Sequence, residues 1–191
     1  MKDLYEKFFE EKAAMKKTSH IFWFENALLK QCSLSKKRFH KVRNDQWRQI
    51  YQAIAEKYAD KTKIWKNGLH WANTSGYSPK SMKNLLGCYQ VDYAAWVHDL
   101  PQILPDEEMV YFLIDKGGDW HTGECFWIFE SYVPELVKAL DLLNQTAFLD
   151  SGWPDYYVVS KKFRWLIGLN HHDVLSCVGE GLKLDCFHNP K

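Results

Sequence analysis

No stretch of this sequence approaches the ~20 apolar residues that a membrane-spanning helix requires. Its densest apolar run, Met109–Ile114, has only the length of a strand. The opening residues Met1-Lys2-Asp3-Leu4-Tyr5-Glu6-Lys7 mix both charges and lack the apolar centre of a secretory leader, so none is expected. Cysteine is sparse and scattered: Cys32, Cys88, Cys125, Cys177 and Cys186 are odd in number and form no CxxC pair. That argues against a disulfide scaffold and a zinc ribbon and fits reduced thiols, so a cytoplasmic protein is expected. Internal repeats and low-complexity tracts are missing too. So are the GxSxG elbow, the P-loop, the GxGxxG turn and HExxH; Gly117-Gly118 and Gly179-Glu180-Gly181 read as turn glycines. The expectation leans away from an enzyme, and no cofactor is implied.

Net charge is also scarce, at a formal +1 from 25 Lys+Arg and 24 Asp+Glu over 191 residues. That near-balance hides a division. Residues 1–83 carry 18 cations and 8 carboxylates, a net of +10, whereas residues 84–191 carry 7 and 16, a net of −9. Aromatics are abundant at 16%, with nine Trp, ten Tyr and eleven Phe. Most must be buried, since so much exposed ring surface would promote association, yet a few can serve as anchors for a partner.

The first half reads as helical. Leu4, Tyr5, Phe8 and Phe9 share one side of Lys2–Lys17, and Ser19 can cap a helix through Phe22, Trp23 and Leu28 to about Gln31. After the N-cap candidate Asn44, the residues Trp47, Ile50, Tyr51, Ile54, Ala55 and Tyr58 form one buried helical stripe. Gly68–Leu86 reads mostly as a loop, with a short helix from Pro79 to Leu86. Asp92 then caps a helix through Val97 that stops near Pro101. From residue 105 the pattern changes. Met109–Ile114 and Cys125–Phe129 read as a hairpin, followed by a helix with Pro134 in its first turn and Val133, Leu136, Val137, Leu140 and Leu143 buried. Tyr156–Ser160, Phe163–Leu169 and Val174–Gly179 read as three more strands, and Glu180–Lys191 as a short strand or loose end. The expectation is an α+β protein: one domain over 1–191, a basic and mainly helical part (1–104), then an acidic part (105–191) with an antiparallel sheet in the order β-β-α-β-β-β and helices on one face.

Four places could carry function. Asn170-His171-His172-Asp173, joined by Asp119, His121 and Glu124, offers ligand types for a transition metal and hence a metal-dependent hydrolase or nuclease. The spacing argues against it, because neighbouring His171 and His172 point to opposite faces of an extended chain. A packed histidine and a turn aspartate are the plainer reading. Cysteine nucleophiles fare no better, since Cys177 and Cys125 sit in expected strands where a buried, inert thiol is the common outcome. Lys36–Arg43 holds five cations in eight residues around Phe39 and could track phosphates while Phe39 or Trp47 stacks on bases. Against this stand a core role for Trp47, simple solvation of the cations, and contact of the basic half with the acidic half; nucleic acid is therefore not the expected partner. The fourth place is an acidic, aromatic docking surface made of Asp106, Glu107, Glu108, Asp119, Trp120, Glu124, Trp153, Asp155 and Tyr156. Carboxylates interleaved with rings suit the steering and holding of a basic protein partner.

The segment Tyr156–Ile167, continued by Asn170-His171-His172-Asp173 and Val178-Gly179, resembles the closing motif of small uncharacterised bacterial proteins of the polymorphic-toxin immunity type. The order of strands and helix is similar at fold level to the SMI1/KNR4-like group. The resemblance implies neutralisation of a basic toxin domain by tight, occluding binding without turnover.

Overall fold

The computed structural model describes residues 30, 32–58, 85–92, 95–104, 109–115, 126–146, 155–170 and 173–187. Within them lie β1 (Phe39–Lys41), α1 (Asn44–Tyr58), β2 (Leu85–Gln90), a 3-10 turn (Trp96–Asp99) running into the short α2 (Leu100–Ile103), β3 (Met109–Asp115), β4 (Phe126–Tyr132), α3 (Val133–Thr146), β5 (Tyr156–Ser160), β6 (Trp165–Leu169) and β7 (Val174–Gly179). All seven strands join one sheet in the order β1-β4-β3-β5-β6-β7-β2, and every neighbouring pair is antiparallel.

The mixed α+β class agrees with the sequence, but the layout differs in three ways. First, the half expected to be helical supplies both edge strands, β1 and β2, so the chain order is not helices followed by β-β-α-β-β-β. Leu85–Leu86, expected to close a helix, begins β2. The expected helices over Lys2–Lys17 and Ser19–Gln31 lie outside the described residues but for Lys30.

Second, helices cover both faces of the sheet. Trp47, Ile50, Ile54 and Tyr58 of α1 pack on Tyr111, Leu113, Ile128, Tyr157, Val159, Leu166 and Val178. Leu136, Ala139, Leu140 and Leu143 of α3, with Trp96, Leu100 and Ile103, pack on Val110, Phe112, Ile114, Phe129, Tyr156, Val158 and Ile167. Alternate residues of each central strand thus enter opposite cores, which is why those strands read as unbroken apolar runs rather than alternating ones. Each fully buried aliphatic side chain, such as Ile54 at 0% exposure, contributes about 1.5–3 kcal/mol by leaving water.

Third, local ends differ. Pro101 sits in the first turn of α2 instead of stopping a helix there, a position that needs no backbone donor. Asp92 does not cap a helix as expected: the 3-10 turn has Ala95 as its N-cap with no side-chain bond, and the Asp92 Oδ1 accepts the Ala95 N–H at 3.1 Å in the turn before it. The described part of the segment after β7, residues 180–187, is neither strand nor loose end: Leu182, Leu184, Cys186 and Phe187 pack on the core, and Lys183 donates its N–H to the Ile103 carbonyl at 3.1 Å. No helix among the described residues is long and apolar enough to cross a membrane.

Candidate functional site

The basic segment folds directly onto the acidic half. A turn at Ser35–Arg38 leads into β1, which pairs with β4 from Phe39↔Ser131 to Lys41↔Phe129. Arg38 sets both guanidinium arms on the Glu135 carboxylate, Nε to Oε1 at 2.7 Å and Nη2 to Oε2 at 3.1 Å, while its Cζ lies 4.3 Å from the centre of the Tyr132 ring. The Glu135 hydrogen bond holds the Arg38 guanidinium above its already high ordinary range. Glu135 stands in the first turn of α3, where a carboxylate also suits the free N–H groups of the helix. On β4, Glu130 receives Lys161 Nζ at 3.0 Å and faces His40 Nε2 at 3.7 Å. Lys161 in turn lies 5.3 Å from the centre of the Tyr111 ring. Arg43 is paired with Asp45 at 2.8 Å.

These contacts bear on the nucleic-acid reading. Phe39 is buried against Phe129, with ring centroids 5.0 Å apart, and Trp47 belongs to the core under α1. Neither ring is placed to stack on a base, and two of the segment's five cations already hold carboxylates. The expectations that Trp47 is core and that the halves touch describe the segment better.

Thiol chemistry has no support among the described residues. Cys177 is fully buried and desolvation drives its thiol far above the ordinary range; burial likewise raises the half-buried Cys32 and Cys186. Cys88 is buried with its Sγ 3.5 Å from Ser176 Oγ. Cys125 lies outside the described residues.

The sheet sorts the remaining candidates by end. At one end the chain leaves β3 after Asp115 and rejoins β4 at Phe126, enters β5 from Asp155, turns from β6 to β7 between Leu169 and Val174, and leaves β2 toward Asp92. Four aspartates lie there, Asp92, Asp115, Asp155 and Asp173, from four separate stretches of sequence. The connection 116–125 that starts and finishes at this end carries Asp119, Trp120, His121 and Glu124; Trp153 precedes Asp155, and His171 and His172 occupy the β6–β7 turn. These seven residues themselves lie outside the described ones. The topology therefore roots both sequence-derived clusters, the acidic-aromatic one and the histidine one, at a single end of the sheet. Arg43, where the chain runs from β1 into α1 toward that end, is the residue already paired with Asp45.

The opposite end has a different character. It receives Arg38 and the β5–β6 turn with Lys161, Lys162 and Arg164, alongside Glu135 and Glu180. Asp106, Glu107 and Glu108 precede Met109, which lies at this end, and are themselves outside the described residues. Tyr156 must be withdrawn as an anchor. It is fully buried, with its hydroxyl accepting the Trp96 indole N–H at 3.0 Å and its ring stacked at 6.0 Å. Its place in a strand enclosed on both faces explains the error.

Asp173 behaves as a turn residue. Its φ is +58°, its carbonyl accepts the Val91 N–H at 3.0 Å, and the turn is closed by Asn170 Oδ1 accepting the Val174 N–H at 3.1 Å. Among the described residues no group of three or more His, Cys, Asp or Glu is placed to hold a metal ion. Glu130, Glu135 and Lys161 were not singled out from sequence. A lone carboxylate inside the apolar run Phe126–Ser131 was the available signal for Glu130, and an acid just after Pro134 was the signal for Glu135.

A family model matches residues 25–186, which is most of the chain and spans every described strand and helix. The chain belongs to the family of unknown function DUF6756. No curated protein and no solved structure matches it. The DUF6756 match takes in the acidic end, the Arg38–Glu135 clamp and both sheet edges.

Proposed function

We propose that this DUF6756 chain is a non-enzymatic, cytoplasmic binding protein that captures a basic protein partner at the acidic end of its sheet, as an immunity protein captures a toxin. One observation carries this reading: Asp92, Asp155 and Asp173, distant in sequence, lie at the same end of the sheet, the end where the connections bearing Asp119, Trp120, Glu124 and Trp153 are rooted. Carboxylates gathered on one end raise the encounter rate with a cationic partner, and rings beside them supply desolvated anchors. Arg38 is paired with Glu135 at the other end of the sheet.

The test is complex formation with the product of a neighbouring gene, read by co-purification and by protection of cells on co-expression. The association rate should fall with salt, and Asp92→Asn, Asp155→Asn and Asp173→Asn combined should slow it while leaving the fold intact. Absence of both complex and protection for every neighbouring product would overturn the reading.

A second reading is favoured by the shared root of the His121 connection and the His171–His172 turn: a metal-dependent hydrolase or nuclease. Only β5 separates β3 from β6, so the two roots are about 10 Å apart at the usual strand spacing. Elemental analysis decides it. Metal-free protein whose stability ignores chelator would leave this reading without support.

A further inference from the structure

When the chain leaves β7, that strand already has β6 on one side and β2 on the other. The segment 182–187 therefore lies over the α3 face of the sheet instead of joining it. Leu182, Leu184, Cys186 and Phe187 turn inward but stay half-buried, alternating with exposed Lys183 and Asp185, whereas Leu175, Cys177 and Val178 of β7 are fully buried. Phe187 rests on the Tyr89 ring, with centroids 4.8 Å apart. That ring runs back over Gly87, where a Cβ would come within 2.6 Å of the Tyr89 hydroxyl oxygen, and Gly87 is the register partner of Cys177. Cys186 is close enough that a charge on it would push the Cys177 thiol higher still. Tyr89 and Cys177 thus lie beneath this segment.

The root of the segment holds two unlike glycines. Gly179 is wedged against the Arg164 carbonyl oxygen, which also accepts the Glu180 N–H at 3.0 Å. At Gly181 φ is +86°, yet a Cβ would meet nothing within 4 Å. Conformation, not space, calls for glycine there. Beyond it, the Lys183 N–H ties the backbone to the Ile103 carbonyl at 3.1 Å, while the bond from the Phe187 N–H to the Leu184 carbonyl is internal and travels with the segment.

We propose that residues 182–187 form a lid that swings about Gly181 while all seven strands stay paired, and that its opening uncovers Tyr89 and Cys177. Opening breaks the Lys183 bond and the contacts of four half-buried side chains, but no strand pairing. Segments with few buried contacts open locally, far below the free energy of global unfolding. The inference concerns the α3 face and stands apart from the partner proposed at the acidic end.

Amide exchange and thiol labelling of the full chain, followed across a low-urea series, test it. The Lys183 amide should exchange at least about a hundredfold faster than the amides of β6, with little dependence on urea, because local opening exposes little surface. Labelling of Cys177, assigned by peptide mass, should share that weak urea dependence. Gly181→Ala strains the closed lid and leaves the open one unstrained, so it should speed Lys183 exchange roughly tenfold. Its Cβ meets open space, so the variant should keep the wild-type circular dichroism. A Lys183 amide that exchanges at the rate of β6 and with the same urea slope overturns the proposal, since the segment would then unfold only with the sheet. Cys177 labelling that follows the urea slope of global unfolding overturns it as well, as does Lys183 exchange unmoved by Gly181→Ala.

Discussion

Replacing Tyr58 by Phe tests how α1 is fastened to the sheet. Tyr58 ends α1, is 1% exposed, and donates its hydroxyl to the backbone carbonyl of Phe163. Phe163 holds φ at +53° in the turn between β5 and β6, so the bond ties the last residue of the helix to a turn in an unusual conformation. The substitution keeps the ring and its packing but removes the donor. A net hydrogen bond lost, with a carbonyl left short of a partner, costs about 1–2 kcal/mol. For a chain of this size that lowers Tm by roughly 3–6 °C. A second signature comes from pH. Burial pushes the Tyr58 phenol well above its ordinary value, so the folded chain keeps this proton after the unfolded chain has begun to lose it. The stability linked to that difference is complete below the unfolded value of about 10 and declines as pH rises above it, by at most about 1.4 kcal/mol per pH unit. The Phe variant lacks the group and escapes this decline. Tyr89 and Tyr111, also raised by desolvation, titrate in both proteins and cancel in the difference. Urea unfolding at a series of pH values from 7 to 11 should therefore show the variant less stable at neutrality and the gap closing in alkali. Equal stability at pH 7, or a constant gap throughout, would refute the clamp.

Other positions make equally definite demands. A Cβ on Gly168 would lie 2.7 Å from Tyr157 Cδ1, so Gly168→Val should cost about 1–3 kcal/mol in urea unfolding; a change under about 0.5 kcal/mol would mean that the ring does not lie across this strand. Gly179 has φ +100°, and a Cβ there would approach the Arg164 carbonyl oxygen to 2.2 Å. Gly179→Ala should thus lose about 2 kcal/mol or more, and a neutral outcome would place the β6–β7 contact elsewhere. Tyr156→Phe strips the acceptor from the buried Trp96 N–H and should cost about 1–3 kcal/mol by thermal or chemical unfolding. An unchanged midpoint would show that the indole is satisfied without Tyr156.

Much of the core was legible in the residues alone. The stripe Trp47–Ile50–Ile54–Tyr58 has the period of a helix with one buried side, and α1 buries it. Pro134 marks the first turn of α3, and the runs at 109–114, 156–160 and 174–179 have the length and composition of strands. The two-sided enclosure was also written there, in strands that do not alternate; reading them as one-sided placed the helices on one face and left Tyr156 available to a partner. β1 was hidden because three residues flanked by cations carry too little pattern to distinguish a strand from a solvated basic loop. β2 was hidden because Leu85-Leu86 can close a helix as readily as open a strand, and pairing with β7 decides between them.

The sequence by itself determined which residues are buried and which local conformation most of them take, because hydrophobic period and turn chemistry act over a few residues. It also determined that charge is divided, +10 before residue 84 and −9 after it. Only the tertiary structure decided what that division means. Antiparallel pairing draws strands from both halves into one sheet, so Arg38 and His40 reach Glu135 and Glu130, and aspartates from three separate loops gather at one end. Strand order and register are long-range choices, set by which faces can be buried together, and they bring residues of both parts of the chain to the same end of a sheet.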